Sequence, residues 1–192
     1  MKPFNIFLIG VGGQGIGMLS EVLLRAADHA GLAAKGVDTH GLAQRGGIVR
    51  SRIRIGDRVH SPLIGAHQAD LAVALERHEA LRAIETALRD GGTLIFYDAV
   101  WQPLGVRVKG EPEVGLDDLE RRGSPRDIRM IKVFRPELTD AKRQNIILLA
   151  NILKYGLLPG VEAEHFRQAL EDLMTGPMLE KNLALFDQEL EA

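Results

Sequence analysis

The apolar run Phe4–Ile9 ends in Gly10-Val11-Gly12-Gly13-Gln14-Gly15, and a helical period begins where the glycines stop. A short glycine-bounded run of β-formers reads as a buried strand. Ile16, Leu19, Leu23 and Ala26–Ala27 then recur on one helical face, and Gly31 supplies the stop. Ala34–Thr39 reads as a second strand, so the chain opens as β-α-β. Strand, glycine loop and helix in that order leave an α/β fold as the expectation.

The remainder extends the same alternation. Ile48–Ile55 has period 2, with Arg50, Arg52 and Arg54 on one face and Val49, Ser51, Ile53 and Ile55 on the other. Gly56-Asp57 signals a hairpin returning through Arg58–Ser61. Leu71–Leu75 reads as a strand, Glu76–Arg89 as a helix ended by Gly91-Gly92, and Thr93–Tyr97 as a strand. Residues 99–126 read as irregular or short-strand structure. Ile128–Phe134 reads as a strand, followed by helices over Asp140–Tyr155, Glu162–Met174 and Pro177–Glu189. The expected architecture is a Rossmann-like doubly wound sheet with a β-hairpin insert and C-terminal helices, all in one domain spanning 1–192.

Composition narrows the chemistry. The chain has no cysteine, which removes disulfides, thiolate catalysis and cysteine-ligated iron–sulfur clusters. A net charge of −2 offers no global basic field for nucleic acid. The histidines lack metal-ligand spacing, so no metal site is expected. The start has no signal-peptide layout, and the apolar runs are strand-sized, so the expectation is a soluble cytoplasmic protein without a membrane partner.

Two loops carry the chemistry. The glycines of Gly10–Gly15 fall on G-x-G-x-x-G, a spacing that lets backbone N–H groups approach a phosphate at a helix N-terminus. Asp38, at the end of the second strand, stands where a dinucleotide site places its ribose-binding acid. The loop is open to three readings: a dinucleotide site, close packing of helix on strand, or a notch for another ligand or a partner chain. The second loop, His40-Gly41-Leu42-Ala43-Gln44-Arg45-Gly46-Gly47, also follows a strand end. Arg45 beside two glycines suits an anion, and His40 is a candidate for acid–base work; their plain alternatives are an ion pair and a hydrogen-bonded loop histidine. The arginine stripe, joined by Arg58, reads as a solvated face or as an electropositive surface. Asn145, set in an apolar helix, must satisfy its amide and is expected to bond a neighbouring loop.

Together the two loops resemble the γ-type subunit of 2-oxoacid:ferredoxin oxidoreductases, and the second is most similar to the small (β) subunit of the indolepyruvate enzymes. Gln68-Ala69-Asp70-Leu71, Lys142–Gly156 and Glu180-Lys181-Asn182-Leu183-Ala184-Leu185-Phe186 extend the resemblance over nearly the whole chain.

That resemblance implies a subunit supporting thiamine-dependent oxidative decarboxylation of a 2-oxoacid to an acyl-CoA, inactive alone, with electrons passing to ferredoxin. No cofactor is expected to be held by this chain alone. Thiamine diphosphate, magnesium and iron–sulfur clusters are expected on a larger partner subunit, with CoA as co-substrate. The resemblance carries over Gly12, Gly13, Gln14 and Gly15 from the first loop and His40, Gln44, Arg45, Gly46 and Gly47 from the second. Both loops are then expected to face the partner, with Arg45 on an anionic group and His40 and Arg45 as catalytic candidates. An isolated chain is expected to self-associate as a homodimer, because a docking face is apolar. The competing functions are a stand-alone NAD- or FAD-dependent oxidoreductase and a small-ligand binding module.

Overall fold

The computed structural model describes residues 2–40, 47–100, 110, 112–138, 140 and 143–192. Six strands form one mixed sheet in the order β2-β3-β1-β4-β5-β6. They are β1 (Phe4–Val11), β2 (Ala34–His40), β3 (Ile48–Ile55), β4 (Ala69–Ala74), β5 (Leu88–Tyr97) and β6 (Arg129–Val133). The described helices are α1 (Ile16–His29), α2 (Arg77–Thr86), α3 (Leu116–Gly123), α4 (Gln144–Lys154), α5 (Ala163–Leu173) and α6 (Gly176–Glu191). The α/β reading holds, with helices on both faces of the sheet.

The alternation within β1 divides the core. Ile6 and Leu8 point to one face, where α1, α4, α5 and α6 pack; Phe7 and Ile9 point to the other, under α2 and α3. α1 buries Ile16, Leu19, Val22, Leu23, Ala26 and Ala27, the helical stripe the sequence promised. Phe166 of α5 and Phe186 of α6 are fully buried with ring centroids 5.9 Å apart, which ties the C-terminal helices to each other and to the sheet. Among the described residues, no helix is long and apolar enough to cross a membrane.

The inserted strand differs from its expected place. β3 does not fold back on residues 58–61, which form no strand; it lies between β2 and β1, antiparallel to both. The hairpin is therefore made by β2 and β3, and β1 and β2 share a direction without touching. Period 2 announces a strand but says nothing of its neighbour. Position in the sheet was decided by burial: Ile53 and Ile55 enter the α1 face, and Ser51 meets Ser20 of α1 at 2.7 Å.

Three further readings shift. α2 ends at Thr86, and Gly91-Gly92 lie within β5, where the pairing with β4 jumps from Ala69–Leu88 to Leu71–Thr93 and Gly91 takes φ +66°. Within 99–126, Leu116–Gly123 is a helix. Its first turn holds Asp117 and Asp118 and its last Arg121 and Arg122, both favourable to the helix dipole, and Asp118 accepts from the Gly115 N–H at 2.9 Å. The arginine stripe is half-buried. Arg54 donates to Asn5 Oδ1 and to the carbonyls of Ser61 and Leu63, and Arg52 lies 5.8 Å from the Phe7 ring centre. The segment around residues 61–66 thus covers much of the face that period 2 had left to solvent.

Candidate functional site

The glycine loop is held from inside by its one large polar residue. Gln14 is 1% exposed. Its Oε1 accepts from the Val11 N–H at 2.7 Å, its Nε2 donates to the Leu75 carbonyl at 3.2 Å, and its own N–H donates to the Val11 carbonyl. A side chain on Gly10 would lie 2.9 Å from Gln14 Oε1, so the small residue makes room for the tether. Gly13 and Gly15 adopt φ +102° and +83°, a region L-residues enter only with strain. The loop glycines are conformational requirements.

Asn145, in the first turn of α4, closes the loop from the other side. Its Nδ2 donates to the Gln14 carbonyl at 3.0 Å and to the Gly15 carbonyl at 3.2 Å. The expectation that this amide bonds a neighbouring loop is met, and the loop is the glycine loop itself. A Cβ on Gly15 would stand 2.5 Å from that nitrogen.

The second loop meets the first through the backbone. Ile48 of β3 lies opposite Val11 of β1, and the Gly12 N–H donates to the Gly47 carbonyl at 2.8 Å. Of the candidates, Gly12, Gly13, Gln14, Gly15 and Gly47 are therefore gathered at one place, the C-terminal end of β1. His40 closes β2 opposite Val49, its side chain outside the described residues, as are Gln44, Arg45 and Gly46. Asp38 accepts from Ser20 Oγ at 3.2 Å, and a side chain on Gly17 would lie 3.7 Å from its Oδ2.

Beside the loop runs a groove of about 810 Å³. It is bounded by Gly12, Gly13 and Gly15, by Arg143 and Asn145, and by Met178, Lys181 and Asn182. The N-termini of α1, α4 and α6 converge here, and none carries a side-chain cap among the described residues. Their free N–H groups and partial positive charge favour an anion. Arg143 and Lys181 add two cations, joined where Arg143 Nη2 donates to the Lys181 carbonyl at 3.0 Å. Val11, Ile16, Met18, Val49, Ile146 and Met174 supply an apolar wall. Among the described residues, the lining has no histidine and one carboxylate, Asp140. Such a place suits holding a ligand with a charged and an apolar part better than proton transfer.

Sequence reasoning passed over Arg143 and Lys181 as site residues. They lie far along the chain from the glycine loop, and only the packing of α4 and α6 brings them to it. The signal available was the uncapped helix start at Thr175-Gly176-Pro177. Elsewhere, Glu79 is fully buried on the α2 face, where loss of hydration pushes its carboxyl up from 4.5 against the pull of Arg82 at 3.0 Å. Among the described residues, no group of three or more His, Asp or Glu is placed to hold a metal ion.

The fold has known counterparts. The family model for pyruvate ferredoxin/flavodoxin oxidoreductase matches residues 5–192. The chain belongs to this family. A relative from Archaeoglobus fulgidus, named indolepyruvate oxidoreductase subunit IorB, is 35% identical over 187 residues, covering 93% of this chain and 90% of the relative. Among solved structures, the pyruvate oxidoreductase subunit PORC of Thermotoga maritima superposes with a TM-score of 0.69 at 20% identity, covering 100% of this chain and 97% of that one. The 2-oxoglutarate:ferredoxin oxidoreductase of Magnetococcus marinus, with 2-oxoglutarate, coenzyme A and succinyl-CoA bound, gives 0.70 at 17% identity, covering 98% of this chain and 30% of that one. The two structures share the fold, and the family match shows the oxidoreductase class.

Proposed function

We propose that this chain is the small subunit of a 2-oxoacid:ferredoxin oxidoreductase acting on indolepyruvate or a related arylpyruvate. The observation that supports the reading is the Gly12–Gly47 bond, which ties the glycine loop beside the groove to the last residue of the second motif. The overall reaction releases CO₂ from the 2-oxoacid, passes two electrons to ferredoxin and joins the acyl group to the CoA sulfur with loss of its proton. Thiamine diphosphate supplies the carbanion chemistry on the partner subunit; this chain has no cysteine and no Gly-Asp-Gly element for that cofactor or for clusters.

What this chain does follows from its own groups. The glycine loop, the helix N-termini, Arg143 and Lys181 receive the phosphorylated part of CoA, and the apolar wall takes its uncharged part. Arg45 faces an anion of CoA, substrate or partner, and His40 stands at the same junction. Both loops meet the larger subunit and help to close its active-site region, in the cytoplasm.

Co-expression with a tagged copy of this chain tests the reading. The expected outcome is recovery of a larger thiamine- and iron-containing chain, and CoA- and indolepyruvate-dependent reduction of ferredoxin by the pair but not by either chain alone. Tight NADH binding by the isolated chain, seen as energy transfer from Trp101, the single tryptophan, would overturn it in favour of a stand-alone dehydrogenase.

A further inference from the structure

We infer that Asn145 is a positioning residue, which aims the Gly15 and Ile16 N–H groups at the anionic part of the ligand. The Gln14 carbonyl shares a peptide unit with the Gly15 N–H, and the Gly15 carbonyl shares one with the Ile16 N–H. In a trans peptide the C=O and N–H bonds point in opposite directions, and no described peptide here is cis. By holding both carbonyls, Asn145 Nδ2 turns both N–H groups the other way. Neither N–H has an acceptor among the described residues, and both residues line the groove.

The residue type is specific to this task. An amide nitrogen carries two hydrogens, one for each carbonyl. Aspartate has the same shape but would set oxygen against both carbonyls. Two acceptors on one side also fix which end of the amide faces the loop.

Asn145 performs this at a cost. It is 1% exposed, and its Oδ1 is buried with no hydrogen-bond partner among the described residues. An unsatisfied buried acceptor weakens the fold where an apolar side chain would not. Gly15 completes the device. Its positive φ brings its backbone into line, and its missing side chain leaves Nδ2 the space that a Cβ would take. Resting on the proposed function only for the identity of the ligand, the clamp makes loop geometry depend on a helix more than a hundred residues away.

The test uses the full chain titrated with inorganic pyrophosphate and, separately, with CoA, followed by amide NMR. Wild type is expected to show saturable shifts at the Gly15 and Ile16 amides with either probe. Asn145→Ala and Asn145→Asp are expected to weaken binding by about tenfold or more. Ile152→Val, a buried change in the same helix away from the groove, controls for stability. It should lower Tm while affinity stays within roughly twofold. Asn145 variants that bind as wild type does, or an affinity loss in Ile152→Val that matches theirs, would overturn the assignment. Absence of shifts at Gly15 and Ile16 in wild type would overturn it too, and would leave co-purification of the larger subunit untouched. Failed co-purification with intact pyrophosphate binding would sink the subunit reading and leave the clamp standing.

Discussion

The Gly12 amide and the Gly47 carbonyl lie 2.8 Å apart, a single backbone bond joining loops whose sequences are separated by a helix and a strand. It makes the start of β3 and the end of β1 one rigid unit. Hydrogen exchange reads this directly. The Gly12 amide is expected to exchange about tenfold or more slowly than the Gly13 amide next to it, since among the described residues only the first has an acceptor. Equal rates would show the tie to be open in solution.

Gly13 and Gly15 separate backbone strain from crowding. Gly13→Ala meets open space and carries only the positive φ, an expected loss of about 1–2 kcal/mol. Gly15→Ala adds a contact of 2.5 Å with Asn145 Nδ2, so it should cost more and should also impair anion binding. Chemical denaturation of both variants measures the gap, and equal losses would count against the Asn145 contact.

Arg45 belongs to the functional proposal. Arg45→Ala in the assembled complex is expected to depress turnover. Unchanged kinetics with an unchanged assembly constant would remove Arg45 from the site.

Glu79 sets a dependence on pH. Its carboxyl is raised in the folded chain, first by lost hydration. A raised acid favours the folded state at low pH, where it is protonated in both states, and that contribution falls away as pH climbs past 4.5 and through the raised value. Glu79→Gln should therefore flatten the decline in stability above the ordinary glutamate range. Tm measured across that range checks this, and parallel profiles for the two proteins would contradict it.

Phe186 anchors the groove's third wall. It is fully buried against Phe166, and Phe186→Ala should cost about 3–5 kcal/mol. Because Met178 and Lys181 ride on the same helix, weaker anion binding should accompany the loss. Denaturation and calorimetry together test the link.

Much of this was legible in the residues. Gly31 and Gly156 sit at positive φ where the helical periods stop, and Asn145 was marked out as an amide set in an apolar helix. What stayed hidden was non-local. Alternation in Ile48–Ile55 cannot show that β1 and β2 both claim it as a neighbour. Leu116–Gly123 buries only Leu119 and Gly123, too little to stand out as a helix. The groove joins residue 12 to residue 181, a closeness that only packed helices supply.

The antiparallel β3, set between β2 and β1, also bears on how this edge of the sheet tolerates change. The connection leaving His40 and rejoining at Ile48 hangs from two strands already bonded to each other along their length. Doubling the length of such a connection costs only about 0.6 kcal/mol in closure entropy. A longer connection here therefore leaves the pairing of β2 with β3 as it is.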